Sequence, residues 1–283
     1  MGFLRTLDCQ TVVEVTSRLC REANFVLEPD VLSAIGQAKE REVSPTGRDI
    51  LAQLEDNASL AARDRIPICQ DTGLTVVFVE VGQDLRLTGG SLEEAITAGV
   101  RDGYQKGYLR KSVVGHPLVR ENTGDNTPPV IHWRLVSGDR LKISVVPKGA
   151  GSENMSALKM LKPAEGLESV KQFVVDTVSV AGPNPCPPLV VGVGIGGTME
   201  KAALLAKEAL LRPLGSANPD PVLADVEREL VDRINALGIG PMGLGGRITA
   251  LAVHVLAFPT HIAMLPVAVN LNCHALRHKT AVL

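Results

Sequence analysis

Three observations predict a mixed α/β fold with a helical N-terminal layer. The first sixty residues carry apolar positions at three- and four-residue intervals with charges opposite, the period of amphipathic helices. From Pro67 onward, continuous β-branched runs at 75–81 and 189–193 read as buried strands. Helical segments separate such runs through the rest of the chain, the alternation expected of an α/β domain. No repeat, low-complexity tract or clear linker breaks the 283 residues. Residues 1–283 are therefore expected to form a single domain, with 1–62 as a helical sub-lobe and 63–283 as an α/β sub-lobe.

The elements follow in order. Helices are expected over 9–27, 29–42 and 46–62; Cys9 and Cys20 lie on the first and read as small core residues. A strand at 75–81 comes next. Ser91 and Glu94 have capping-box spacing and open a helix reaching Tyr108. Strands at 130–136 and 141–146 flank the turn Ser137-Gly138-Asp139, and a helix-rich stretch covers 153–180. The strand at 189–193 feeds a helix at 199–211. A polar loop with Pro213, Pro219 and Pro221 precedes a helix at 222–236, and strands are expected around 248–257 and 262–271.

Composition narrows the functions. A net charge of −2, a pI near 6.3 and 3% aromatic residues give neither the basic footprint nor the stacking platforms of a nucleic-acid binder. No run of 18 apolar residues is present, so no membrane span is expected. The segment Met1 to Asp8 lacks the apolar region and cleavage site of a secretory leader. With an odd number of cysteines, five, it points to a reducing cytoplasm.

Cys69, Cys186 and Cys273 each sit at a break in regular structure, beside Pro67 and Gly73, between Pro185 and Pro187, and after Asn272. Three thiolates from separate turns can hold three corners of a cubane iron–sulfur cluster and leave the fourth iron open as a Lewis acid. The alternative is three small apolar residues, since no short Cys-x-x-Cys spacing is present.

Other segments carry chemistry and a plainer alternative together. Gly192-Val193-Gly194-Ile195-Gly196-Gly197 meets the dinucleotide fingerprint between a strand and a helix, but no second strand ending in an acid follows the helix. Its glycines can instead admit an anion at a helix N-terminus. The run 238–246 is either a structural turn or a backbone packed against something small and rigid. Lys148-Gly149-Ala150-Gly151-Ser152-Glu153-Asn154 offers amides to a carboxylate, or only an N-cap at Ser152. Asn122-Thr123-Gly124-Asp125-Asn126-Thr127-Pro128-Pro129 reads as a self-closing turn. Asp71, beside Gln70, is a proton acceptor or a turn cap. Arg110 is a carboxylate clamp or a solvated surface residue, and His261 is an active-site donor or a core residue. The other five histidines carry no specific signal.

Together the segments around Cys69, Asn122, Gly151, Cys186, Gly192, Gly238 and His261 through Cys273 resemble, in order, the signatures of class I iron–sulfur fumarate hydratases and the related α-type subunits of tartrate dehydratases. The resemblance spans about residues 60–277. It implies an oxygen-labile [4Fe–4S] cluster on Cys69, Cys186 and Cys273, making 63–283 the cluster-binding region. It implies water addition to, or loss from, a C4 dicarboxylate. Gln70, Asp71, Arg110 and Gly151 are implied as substrate-binding residues, with Asp71 and His261 catalytic. The segments at Tyr108-Leu109-Arg110 and Gly151-Ser152-Glu153-Asn154 look more like the fumarate branch, with L-tartrate as the alternative. Ala150, Met242 and Thr260 depart from a family glycine, glutamine and cysteine respectively, and none is an implied ligand. In the family a C-terminal domain completes the site, and that part is expected on another chain. The resemblance therefore implies a separate β subunit and an α2β2 assembly with α–α contacts. A nicotinamide-binding oxidoreductase and a non-catalytic iron–sulfur protein are the competing classes.

Overall fold

The computed structural model describes residues 5–283, so part of the segment read for a leader, residues 1–4, lies outside the described residues. The chain divides into two compact units. One comprises residues up to Leu27 with Ala58–Ala150 and Arg277–Leu283; the other comprises Glu28–Asn57 and Gly151–Leu276.

The fold is mixed α/β, and the three N-terminal helices form close to the expected boundaries, shared between the two units. Helix α1 (Cys9–Phe25) belongs to the first unit, α2 (Pro29–Arg41) to the second, and α3 (Pro45–Asp64) contributes to both along its length. The reason is the partner each apolar face finds. Val12, Leu19 and Cys20 of α1 join the first unit's core, whereas α2 lies against strand β8 (Ala250–Phe258) of the second. The sub-lobe division at residue 62 is thus not where the units divide.

In the first unit, β10 (Lys279–Val282), β5 (Leu141–Lys148), β2 (Leu74–Gly82) and β4 (Val130–Val136) form a sheet in that order. Only β2 and β4 run parallel within it. Helices α1 and α4 (Leu92–Lys106) cover one face, burying Ile96, Val100 and Tyr104 against Val77, Val79, Ile143 and Val145. Ser91 caps α4, its side chain accepting from the Glu94 amide, as its spacing predicts. A short parallel pair, β1 (Arg5–Asp8) and β3 (Leu85–Thr88), completes this unit's strands.

The second unit has a sheet ordered β6 (Ala157–Leu161), β9 (Leu265–Asn272), β7 (Leu189–Gly196), β8, with β7 and β8 parallel and β9 antiparallel to both its neighbours. Helices α6 (Gly166–Ala181) and α8 (Pro221–Asn235) pack Val174, Val178, Leu230 and Ile234 onto Val191 and Val193. Side chains alternate across a strand, so Gly192 and Gly194 face the other way, toward α7 (Met199–Ala209). A Cβ at either would fall 2.0 Å from a carbonyl oxygen of that helix, Ala206 O or Ala202 O. These glycines therefore serve close helix–strand packing. They lie inside β7, whereas a dinucleotide fingerprint needs them in a turn beyond the strand.

β6 overturns part of the expected helical stretch. Leu158, Lys159 and Met160 favour helix on their own, but pairing with the outer side of β9 overrides that preference. The short strands β1, β3 and β10, four residues each, carry too little pattern to read from sequence.

Candidate functional site

The implied site residues fall in both units. The first holds Cys69, Gln70, Asp71 and Arg110; the second holds Gly151, Cys186, His261 and Cys273.

In the first unit the Cys69–Gly73 turn is clamped from every side of its backbone. Asp71 closes it as an Asx turn, Oδ1 accepting from Gly73 N at 3.0 Å, while Oδ2 accepts from Ala150 N at 2.8 Å. Gly73 has φ +78°, and a Cβ there would sit 2.7 Å from Lys148 N, so no other residue fits. The buried Tyr104 hydroxyl donates to Thr72 O and Gly73 O at 2.7 and 3.0 Å. Burial pushes that phenol well above its ordinary range, keeping it a donor. Asn126, fully buried, donates to Gly73 O and accepts from Ser112 N. The segment read as a self-closing turn therefore also ties the Cys69 turn to the chain beside Arg110. Thr72 Oγ1 makes a second tie, donating to Arg110 O at 2.8 Å. Arg110 and Gln70 are themselves exposed, and Gln70 Oε1 accepts from Cys69 Sγ at 3.2 Å.

Arg277 had no signal beyond its place four residues after Cys273. It is 3% exposed, and its Nη1 donates to Asp71 O at 2.7 Å and Asn24 Oδ1 at 3.0 Å. Asn24 O in turn accepts from Ile68 N. A buried cation thus holds the turn through neutral oxygens.

In the second unit, Cys186 leaves α6 through the turn 183–185, its amide donating to Pro183 O at 3.0 Å. The residue adopts φ +56°, a region costly for a side chain bearing a Cβ and one that collects at functional sites. His274 Nδ1 lies 3.3 Å from Cys186 O, so the turn bearing Cys186 meets the segment that follows Cys273. Strand register supports this, since Val190 pairs with Asn272. Gly151 stands beside the same turn, a Cβ there being 3.5 Å from Asn184 O.

The same register separates His261. It is exposed on the loop before β9, its Nδ1 accepting from Ala263 N, and Thr260 is tied to Gly197 O at the far end of β7. Eight residues of β9 lie between this loop and Cys273, roughly 25 Å of extended strand. Within its own unit His261 is not brought to Cys186 or Cys273.

The five cysteines fall into two environments. None forms a disulfide; Cys9 and Cys20 are buried, whereas Cys186 is exposed and Cys69 and Cys273 are half-buried. Burial pushes the Cys20 thiol up to about 12, and burial, then Asp8, also raises Cys9. Burial thus disfavours the thiolate form of both. The accessible set of three soft donors fits an iron–sulfur group better than a hard cation. Among the described residues no three His, Cys, Asp or Glu side chains converge on one metal ion. Cluster ligands bind different irons and need not so converge.

A sequence model of the fumarate hydratase (Fumerase) family matches residues 13–282. A Methanocaldococcus jannaschii protein provisionally named L(+)-tartrate dehydratase subunit alpha is 44% identical over 270 residues, covering 93% of this chain and 94% of that one. The L(+)-tartrate dehydratase subunit alpha of Escherichia coli strain UTI89 is 36% identical over 273 residues, covering 95% of this chain and 89% of its own; that of strain K12 is 35% identical over the same span. With the match running through both units and every segment discussed above from Cys69 to Cys273, the chain belongs to the fumarate hydratase (Fumerase) family.

Proposed function

We propose that this chain is the α subunit of an iron–sulfur hydro-lyase that reversibly hydrates fumarate to malate. The carrying observation is the division among the cysteines: three accessible thiols at chain breaks, two inert ones in the core. Cys69, Cys186 and Cys273 are the proposed ligands of a [4Fe–4S] cluster, whose open iron would supply Lewis-acid activation of a substrate hydroxyl.

The chain's own groups then have distinct tasks. Asp71, held by the Gly73 and Ala150 amides, is the proposed catalytic carboxylate that accepts a proton or orients the hydroxyl. Its fixed position spares reorientation during reaction. Arg110 offers a guanidinium for bidentate carboxylate binding, and Gln70 and the Gly151 amide offer neutral donors. Loss of a proton beside a carboxylate concentrates negative charge there, which such donors must stabilise. His261 is proposed to act only in the assembled enzyme, because β9 carries it away from its own chain's Cys273. A separate β subunit, an α2β2 assembly, one catalytic domain spanning 1–283 and a cytoplasmic location complete the reading; the "subunit alpha" names of the relatives support the separate partner subunit.

Those names also favour a second reading, with L-tartrate as substrate. Anaerobic turnover of the chain with its β partner on malate and on L-tartrate separates the two. Faster malate dehydration is expected. Tartrate turnover with malate at background moves the assignment to tartrate, and background rates on both dispose of the hydro-lyase reading.

A further inference from the structure

Glu42 ends α2 as a fully buried residue; Arg48 Nε donates to its backbone carbonyl at 2.6 Å, but among the described residues no basic side chain bonds its carboxylate. Four backbone amides hold it instead. Oε1 accepts from Val43 N at 2.8 Å, Ser44 N at 2.9 Å and Arg247 N at 2.9 Å, and Oε2 accepts from Ile248 N at 2.8 Å. Burial pushes this carboxyl up, but the amides outweigh it and hold it below the usual carboxylate range. The anion therefore joins the α2–α3 turn to the end of the glycine-dense run 238–246.

Two glycines of that run are packed tightly against neighbouring chain. A Cβ at Gly246 would stand 2.8 Å from both Glu42 carboxylate oxygens, and one at Gly243 would stand 2.3 Å from Pro183 Cβ. Just before Gly243, Met242 N donates to Pro187 O at 2.7 Å. Pro183 and Pro187 bracket Cys186, the residue held at φ +56°. The glycines thus allow one thin loop to touch the buried anion on one side and the cysteine turn on the other. All of these residues lie in the second unit.

We propose that Glu42 is a positioning residue for Cys186, acting through the 238–246 loop on the turn 183–187. The inference rests on Cys186 being a cluster ligand. Outer-shell groups that orient a metal ligand commonly change metal affinity by about 10–100-fold when removed. Glu42→Gln keeps the shape but presents an amide nitrogen to one or more donors, so those contacts become repulsive.

The test compares wild type, Glu42→Gln, Gly246→Ala and a core control, Leu230→Ala, as full-length chains. Amide exchange is measured first on the metal-free proteins. Exchange at Cys186 and Met242 is expected to rise about tenfold in both loop variants and to stay local in the control. Cluster loss under a fixed iron chelator, followed by visible absorbance of the anaerobically loaded proteins, is expected to be about tenfold faster in the loop variants than in a control of equal thermal stability. Faster exchange confined to Val43, Ser44, Arg247 and Ile248, with Cys186 and Met242 unchanged, overturns the proposal. So does cluster loss no faster than in Leu230→Ala. A wild-type chain that takes up no iron defeats the functional reading separately, and the exchange pattern still decides the coupling.

Discussion

Arg277 Nη1 donates to the backbone carbonyl of Asp71 at 2.7 Å, so a residue just past the last implied ligand fixes the backbone of the proposed catalytic carboxylate. The guanidinium is buried, and among the described residues its Nε finds no hydrogen-bond partner. Arg277→Met leaves Asp71 O and Asn24 Oδ1 without their donor. Each loss costs about 1–3 kcal/mol, partly offset because a buried cation with neutral partners disappears. A net destabilisation of about 2 kcal/mol is expected in chemical denaturation. Turnover should fall more than substrate affinity, because Asp71 is displaced while Arg110 stays.

Thiol reactivity should sort the cysteines without any metal present. In the native metal-free chain near pH 8, alkylation should label Cys186 first and leave Cys20 untouched, since burial holds its thiol near 12. Peptide mapping after timed quenching checks this. Early labelling of Cys20 would contradict its core placement.

Gly194→Ala should destabilise the second unit by about 1–3 kcal/mol, because the new methyl meets Ala202 O at 2.0 Å. The glycines of β7 are explained by packing, so calorimetric titration of the wild type with NAD should give no heat of binding. Micromolar affinity would restore the dinucleotide reading.

Asp125 gives a pH prediction. Burial raises its carboxyl, but the Arg101 guanidinium and the Thr127 hydroxyl and amide outweigh burial and hold it at about 2. A folded value below the unfolded one contributes stability that is full above the ordinary carboxylate range of about 4 and is lost as pH falls toward 2. Asp125→Asn should therefore flatten the stability profile between about pH 4 and 2 relative to wild type. An unchanged slope in acid denaturation would refute the assignment.

Much of this architecture was legible where pattern is long. The helices over Cys9–Phe25, Pro29–Arg41 and Pro221–Asn235 and the strand Leu74–Gly82 carry a full turn or strand of periodic apolar residues. β6 was not legible, because Leu158, Lys159 and Met160 acquire strand geometry only from β9. Cys69, Asp71 and Cys186 stand out as candidates because proline or glycine marks their turns, whereas Cys273 follows a strand with neither beside it. Glu42 and Arg277 do not stand out. An acid closing the charged run Lys39-Glu40-Arg41-Glu42 and an arginine just before His278 read as surface charges, and only burial distinguishes them. His261 illustrates the converse: its sequence neighbourhood points to Cys273, but an extended strand turns nearness in sequence into distance.

The most direct measurement is iron and sulfide content after anaerobic purification of the wild type and the five single cysteine-to-alanine variants. Wild type, Cys9→Ala and Cys20→Ala are expected to carry about four irons and four sulfides per chain, and Cys69→Ala, Cys186→Ala and Cys273→Ala close to none. A full cluster retained after loss of Cys69, Cys186 or Cys273 would contradict the assignment of the ligands and the open iron that follows from it.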